Sequence, residues 1–196
     1  RIEYDAIAGT IPIFDEETGD VDARIFHVAY LKTDPRGVRD AARPILFLFN
    51  GGPGSSSVWL HLGAFGPRRV VMGDAGALRG GPWPLADNDA CLLDVAYRVF
   101  VDRGTTGFSR ATEPDGDGAF HGLESDVRSV GEFIRRFTTR HGRGNSPKFI
   151  GGESYGTTRA AAPAARSRPR RARRASASAR RTAPGARRRR RAAPRT

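Results

Sequence analysis

Ile45-Leu46-Phe47-Leu48-Phe49 is an unbroken run of large apolar side chains that stops at Asn50-Gly51-Gly52. Successive side chains of an extended strand point to opposite faces, so a run without polar alternation must be buried on both. That excludes a half-solvated antiparallel sheet at this point and requires a mostly parallel sheet covered by helices. Tyr97–Asp102 repeats the pattern and ends at Arg103-Gly104. The shorter Lys148-Phe149-Ile150 follows Pro147 and runs into Gly151-Gly152. Ile25–Leu31, preceded by the turn-like Thr18-Gly19-Asp20, is a fourth strand rich in β-branched and aromatic residues.

Between the last two apolar runs the period changes. Leu123, Val127, Val130, Ile134 and Phe137 recur at helical steps on one face, while Arg128, Glu132, Arg135 and Arg136 fall elsewhere. Such a stripe is core packing rather than a cofactor site. Strand, helix, strand in this order implies a right-handed parallel crossover. The expected fold class is α/β.

Charge divides the chain. Of 33 basic residues, 15 are arginines within Arg159–Thr196, a segment without a single acid; the first 158 residues hold 18 basic and 21 acidic groups, a net charge of −3. Residues 164–196 use only Ala, Arg, Pro, Ser, Thr and Gly. They offer too little apolar area to offset chain entropy, so the segment is expected to be disordered. The body has 16 arginines and 2 lysines, which marks a GC-rich gene, and GC-rich codons read out of frame yield nearly this alphabet. The division expected is therefore 1–162, a folded α/β domain, and 163–196, a basic tail that reads as an out-of-frame translation. Arginines alone would bind nucleic acid through counterion release, without sequence readout; the tail has no aromatic residue for stacking on bases, so no specific nucleic-acid partner is expected. Cys91 is the only cysteine and reads as a small apolar residue. No apolar run approaches the roughly 18 residues of a membrane span. The chain starts at Arg1 with no basic-plus-apolar leader, and its composition leaves the compartment open.

Two glycine-rich turns carry the chemistry. Gly152-Glu153-Ser154-Tyr155-Gly156 fits the G-x-S-x-G elbow, and it sits directly after a predicted strand and before Thr157–Ala162, a run able to open a helix. A strand–turn–helix of this kind exposes the serine hydroxyl and turns helix N-terminal N–H groups towards a developing oxyanion. Asn50-Gly51-Gly52-Pro53-Gly54-Ser55-Ser56-Ser57 gives a backbone able to present N–H groups inward, which suits an oxyanion hole. A phosphate loop is the competing reading; the G-K-[ST] ending and the GxGxxG spacing are both missing.

NGGPGSSSVWLHLGAFGP, VFVDRGTTGFSR and FIGGESYG, in this order, resemble the serine carboxypeptidases of peptidase family S10, a branch of the α/β hydrolases. The resemblance covers about residues 1–162 and is nearest the bacterial type, since eukaryotic members usually have Cys where Ser55 stands. It implies an incomplete α/β-hydrolase sheet in this chain and a serine-type hydrolase acting on peptides or proteins with a free C-terminus. No metal or cofactor is implied, and the family points to a secreted or periplasmic compartment. Carried over by position, Ser154 matches the nucleophile, and the N–H groups of Gly52 and Tyr155 match the oxyanion hole. Asn50, Gly51 and Glu153 match the segment that hydrogen-bonds the substrate's C-terminal carboxylate, a role in which Glu153 carries its proton.

The chain departs from the family at three places. Asp102-Arg103-Gly104-Thr105-Thr106-Gly107 stands where members usually read D-P-V-G-T-G, and Ala64 stands where many have Glu. In this fold the acid and histidine of the triad follow the serine, yet residues 155–196 contain no Asp, Glu or His. His27, His61, His121 and His141 all precede it and read as surface or loop histidines, with no metal-ligand spacing between any two. Asp115 and Asp117 sit in a Gly-rich turn that reads as solvated rather than as a calcium loop. The expectation is a carboxypeptidase-like chain whose triad acid and base are absent and whose activity is correspondingly low.

Overall fold

The computed structural model describes residues 2–52, 54–73, 83–112 and 123–157. Pro53, the Asp115/Asp117 turn, His121, the predicted helical run beyond Thr157 and the Arg-rich segment lie outside these residues. The described elements are β1 (Tyr4–Phe14), β2 (Val21–Lys32), β3 (Ile45–Phe49), α1 (Val58–Leu60), β4 (Arg68–Val70), β5 (Leu85–Asp87), β6 (Tyr97–Val101), β7 (Arg110–Ala111), α2 (Leu123–Arg140) and β8 (Lys148–Gly152). A π-helical turn, His61–Phe65, continues α1.

The main sheet has the order β1-β2-β6-β3-β8, with β7 added against β2. β3 runs parallel to both β6 and β8, whereas β2 is antiparallel to β1 and to β6. Only β2 therefore opposes the other strands of that path, which makes the sheet mixed and mostly parallel. The apolar runs take the central places for the reason the sequence gives: β6 is buried at every position and β3 at all but one.

The strand expected at Ile25–Leu31 extends over Val21–Lys32 and pairs along its length with β1, an edge strand that periodicity did not reveal. Asp15 closes their turn by accepting the N–H groups of Glu17 and Thr18, each at 2.8 Å. Those backbone donors favour the ionised form and hold the Asp15 carboxyl below its usual range.

α2 covers one face of the sheet. Val127, Val130 and Phe137 of the predicted stripe are buried, Ile134 packs against the core, and Phe133, one turn from both 130 and 137, joins them. Phe133 and Phe137 stack at 6.0 Å, and Phe137 meets Phe47 edge-on at 5.6 Å. Full burial of such a ring stabilises by about 1.5–3 kcal/mol. With Ile11, Ile13, Ile25, Leu31, Val99 and Val101 these rings form one continuous core. The free Cys91 is buried.

Candidate active site

β8 ends at Gly152 and a helical turn opens at Tyr155, so the whole change of direction falls on Glu153 and Ser154. Ser154 absorbs it with φ of +54°, a conformation that costs a residue with a Cβ of the order of 1–2 kcal/mol. The flanking glycines are required sterically. A Cβ on Gly152 would lie 2.1 Å from the Gly156 carbonyl oxygen, and one on Gly156 would lie 2.7 Å from the carbonyl oxygen of Phe49. Gly156 N–H donates to the Glu153 carbonyl at 2.8 Å and Thr157 N–H to the Ser154 carbonyl at 3.0 Å, which closes a helical turn directly after the serine. Ser154 itself is exposed at the tip.

The parallel pairing of β3 with β8 brings the second glycine turn to the same edge. Their register ends at Phe49 opposite Gly152, and Glu153 N–H donates to the Phe49 carbonyl at 3.2 Å. Gly51 then packs against the elbow: a Cβ there would lie 2.8 Å from Ser154 Cβ, 2.8 Å from the Tyr155 nitrogen and 2.8 Å from the Glu153 carbonyl oxygen. Only a glycine lets the two backbones approach this closely. Asn50 is buried, and its side chain bridges the loops by accepting the Leu60 N–H at 2.9 Å and donating Nδ2–H to Glu153 Oε2 at 3.2 Å. Gly52 follows with φ of +106°, turning the chain back so tightly that a Cβ would sit 2.6 Å from the Gly54 nitrogen. Asn50, Gly51, Glu153, Ser154 and Tyr155 thus form one contiguous patch, with Gly52 at its border.

A third loop braces this patch, and residue patterns did not reveal its role. Asp102, at the end of β6, accepts the Ser57 N–H at 2.9 Å, and its neighbour Arg103 is buried in an ion pair with Asp126 at 3.0 Å. Arg103, which departs from the family's D-P-V-G-T-G pattern, therefore pins this loop to α2. Ala64 has no side chain to offer a ligand, and its carbonyl accepts Nδ2–H of Asn88 at 2.7 Å.

Two histidines, His27 and His61, differ from the expectation of surface or loop positions, whereas His141 lies in a turn as expected. His27 points from β2 under α2, 3% exposed, with the rings of Phe133 and Phe137 edge-on at 5.5 and 5.4 Å. Burial, then the nearby His141 and Arg140, lowers its pKa to about 4. His61 lies in the helical turn after α1, stacked on Phe100 at 4.7 Å and 2.6 Å from the Tyr30 hydroxyl. Burial lowers its pKa, opposed by the negative charge of Asp102. His141 follows α2 and packs against Phe137 at 4.3 Å. Among the described residues no three His, Cys, Asp or Glu side chains gather as a metal site, and no helix is long and apolar enough to cross a membrane.

A solved structure of Kex1Δp, a prohormone-processing carboxypeptidase from Saccharomyces cerevisiae, superposes with a TM-score of 0.58 at 25% identity, over 76% of this chain. The chain spans 31% of that structure's length. The peroxisomal α/β-hydrolase Lpx1 of the same yeast gives a TM-score of 0.41 at 16% identity, over 83% of this chain and 40% of its own. A homoserine O-acetyltransferase from Staphylococcus aureus gives 0.43 at 16% identity, over 85% and 43%. No curated protein sequence matches the chain. The sequence profile of the serine carboxypeptidases matches residues 17–164, a stretch that contains the glycine turn, the Asp102 loop and the elbow, and the chain accordingly belongs to peptidase family S10.

Proposed function

We propose that this chain carries the nucleophile half of a serine carboxypeptidase site. Ser154 Oγ attacks the carbonyl of a C-terminal peptide bond, and the N–H groups of Gly52 and Tyr155 receive the charge that develops on its oxygen. Asn50, Gly51 and Glu153 hold the terminal carboxylate of the peptide or protein substrate. The observation that carries this reading is the packing of Gly51 on the Ser154 elbow, because it joins the glycine turn to a strained, exposed serine across about a hundred residues of sequence. An acyl-dipeptide boronic acid tests it: boron NMR should show a tetrahedral adduct with the full chain and none with Ser154→Ala. A signal that survives the substitution would refute the assignment.

Turnover is a separate matter. Residues 155–196 supply neither an acid nor a histidine, so the 196-residue chain by itself is expected to release C-terminal residues about 10⁴- to 10⁶-fold more slowly than a complete triad does. Robust release of C-terminal residues that Ser154→Ala abolishes would contradict this. The hydrolase-like domain is assigned to 1–162 and the segment from 163 onward to an out-of-frame translation. A shifted reading of the gene near codon 163 should restore an apolar helix, further strands, an Asp and a His; if no such frame stays open, the segment is genuine. Non-specific nucleic-acid binding through those arginines is the alternative, and it should fall steeply with salt and vanish when 163–196 are removed.

A further inference from the structure

Asp102 is 6% exposed at the end of β6, and no lysine or arginine pairs with it among the described residues, since Arg103 turns to Asp126. A buried carboxylate is tolerated only where donors replace its water. Here two loops supply them: Oδ1 accepts the Ser57 N–H at 2.9 Å and the Ser56 hydroxyl at 3.0 Å, and Oδ2 accepts the Phe108 N–H at 3.1 Å. The main chain is tied as well, through Asp102 N–H to the Phe26 carbonyl at 3.0 Å and the Ser109 hydroxyl to the Asp102 carbonyl at 2.9 Å. A Cβ on Gly107 would lie 1.9 Å from Asp102 Oδ2, so the loop is shaped around the carboxylate itself.

The bonds meet at Ser57, which closes the glycine turn. Its N–H goes to Asp102, while its hydroxyl donates to the Val101 carbonyl and stands 3.4 Å from the Asn50 nitrogen as acceptor. Asn50 is held independently, at one end by β3 and at its side chain by Leu60 and Glu153. Among the described residues the C-terminal end of the glycine turn is held at two places: the Ser57 hydroxyl ties it to β6 through Val101, and the Asp102 carboxylate, which takes both the Ser56 hydroxyl and the Ser57 N–H, ties it to the 102–108 loop.

We infer that Asp102 is a positioning residue: its buried carboxylate clamps the Ser56–Ser57 end of the glycine turn to the 102–108 loop and so fixes where the Gly52 N–H points. This rests on the reading of Gly52 as an oxyanion donor. The carboxylate is needed for both sides of the clamp. An Asn can keep one oxygen towards Ser56 and Ser57, but its NH₂ group then faces the Phe108 N–H, donor against donor.

Two ligands of the full chain separate this role from a merely structural one. The acyl-dipeptide boronic acid uses the oxyanion donors; an N-acyl dipeptide with a free carboxylate uses Asn50 and Glu153. Affinity for the boronate should fall about tenfold in Asp102→Asn and about a hundredfold in Asp102→Ala, by comparison with direct loss of an oxyanion donor. Affinity for the free carboxylate should stay within about twofold in both, which also reports that the variants are folded. Equal losses for both ligands, or no loss for either, would overturn the role of Asp102 alone. If the unaltered chain forms no Ser154-dependent tetrahedral adduct, the reading of the site fails and the inference goes with it.

Discussion

Beneath α2 the sheet is held by rings: Phe133 and Phe137 are fully buried and stack at 6.0 Å over Phe47 and the buried imidazole of His27. At the edge where β3 and β8 end, contact is made instead by backbones that touch because Gly51, Gly152 and Gly156 lack side chains, and by hydrogen bonds from Asn50 and Asp102. The first region stabilises in proportion to area removed from water and is indifferent to direction. The second contributes little area and fixes direction, so a single methyl group can spoil it. Damage to one should therefore leave the other measurable.

Phe137→Ala should have the largest effect on stability, about 3–5 kcal/mol by denaturant unfolding, because it removes a ring enclosed by Phe47, Phe133 and His141. Whatever fraction stays folded should still bind the free-carboxylate dipeptide. An effect below about 1 kcal/mol would mean that α2 is not seated on the sheet as described.

Acid should loosen the same face. The pKa of His27 is depressed to about 4 from an ordinary 6.5, so its contribution is fully present above pH 6.5 and is lost as the pH falls through that window. The slope approaches 1.4 kcal/mol per pH unit, about 3 kcal/mol in all, and His27→Leu should flatten it. An unchanged slope in that variant would assign the effect to other groups.

Gly51→Ala should cost less, about 1–3 kcal/mol, since its methyl group would lie 2.8 Å from the Glu153 carbonyl oxygen and the Tyr155 nitrogen and must push the two backbones apart. Unlike Phe137→Ala, it should abolish the Ser154-dependent boronate adduct. Retention of the adduct would separate Gly51 from the site. The smallest effect belongs to Arg36→Ala, whose ion pair with Asp34 lies in solvent; its stability should stay within about 0.5 kcal/mol.

The two regions also differed in how far they could be read beforehand. β3 was legible to the residue because five consecutive apolar side chains have no other use, and the α2 stripe followed from its period. β1 was not, because Gly9 and Pro12 interrupt its alternation, and an edge strand needs less apolar content to be held. His27 was misread although the signal was present: it alternates with Ile25, Ala29 and Leu31 on the buried face of β2. The elbow and the glycine turn were legible as local turn chemistry. Their meeting depends on the parallel pairing of β3 with β8, and the clamp at Asp102 on an adjacent loop 45 residues beyond Ser57. Neither spacing leaves a trace in a local pattern.

Two distant glycine turns should act as one carboxylate-reading, serine-bearing surface. Amide NMR of the labelled chain, titrated with an N-acyl dipeptide bearing a free carboxylate, tests this most directly. Signals of Asn50, Gly51 and Gly52 and those of Glu153, Ser154 and Tyr155 should shift together along one binding curve, and the C-terminal amide of the same dipeptide should move neither set. Shifts confined to one turn, or equal shifts with the amide, would contradict it.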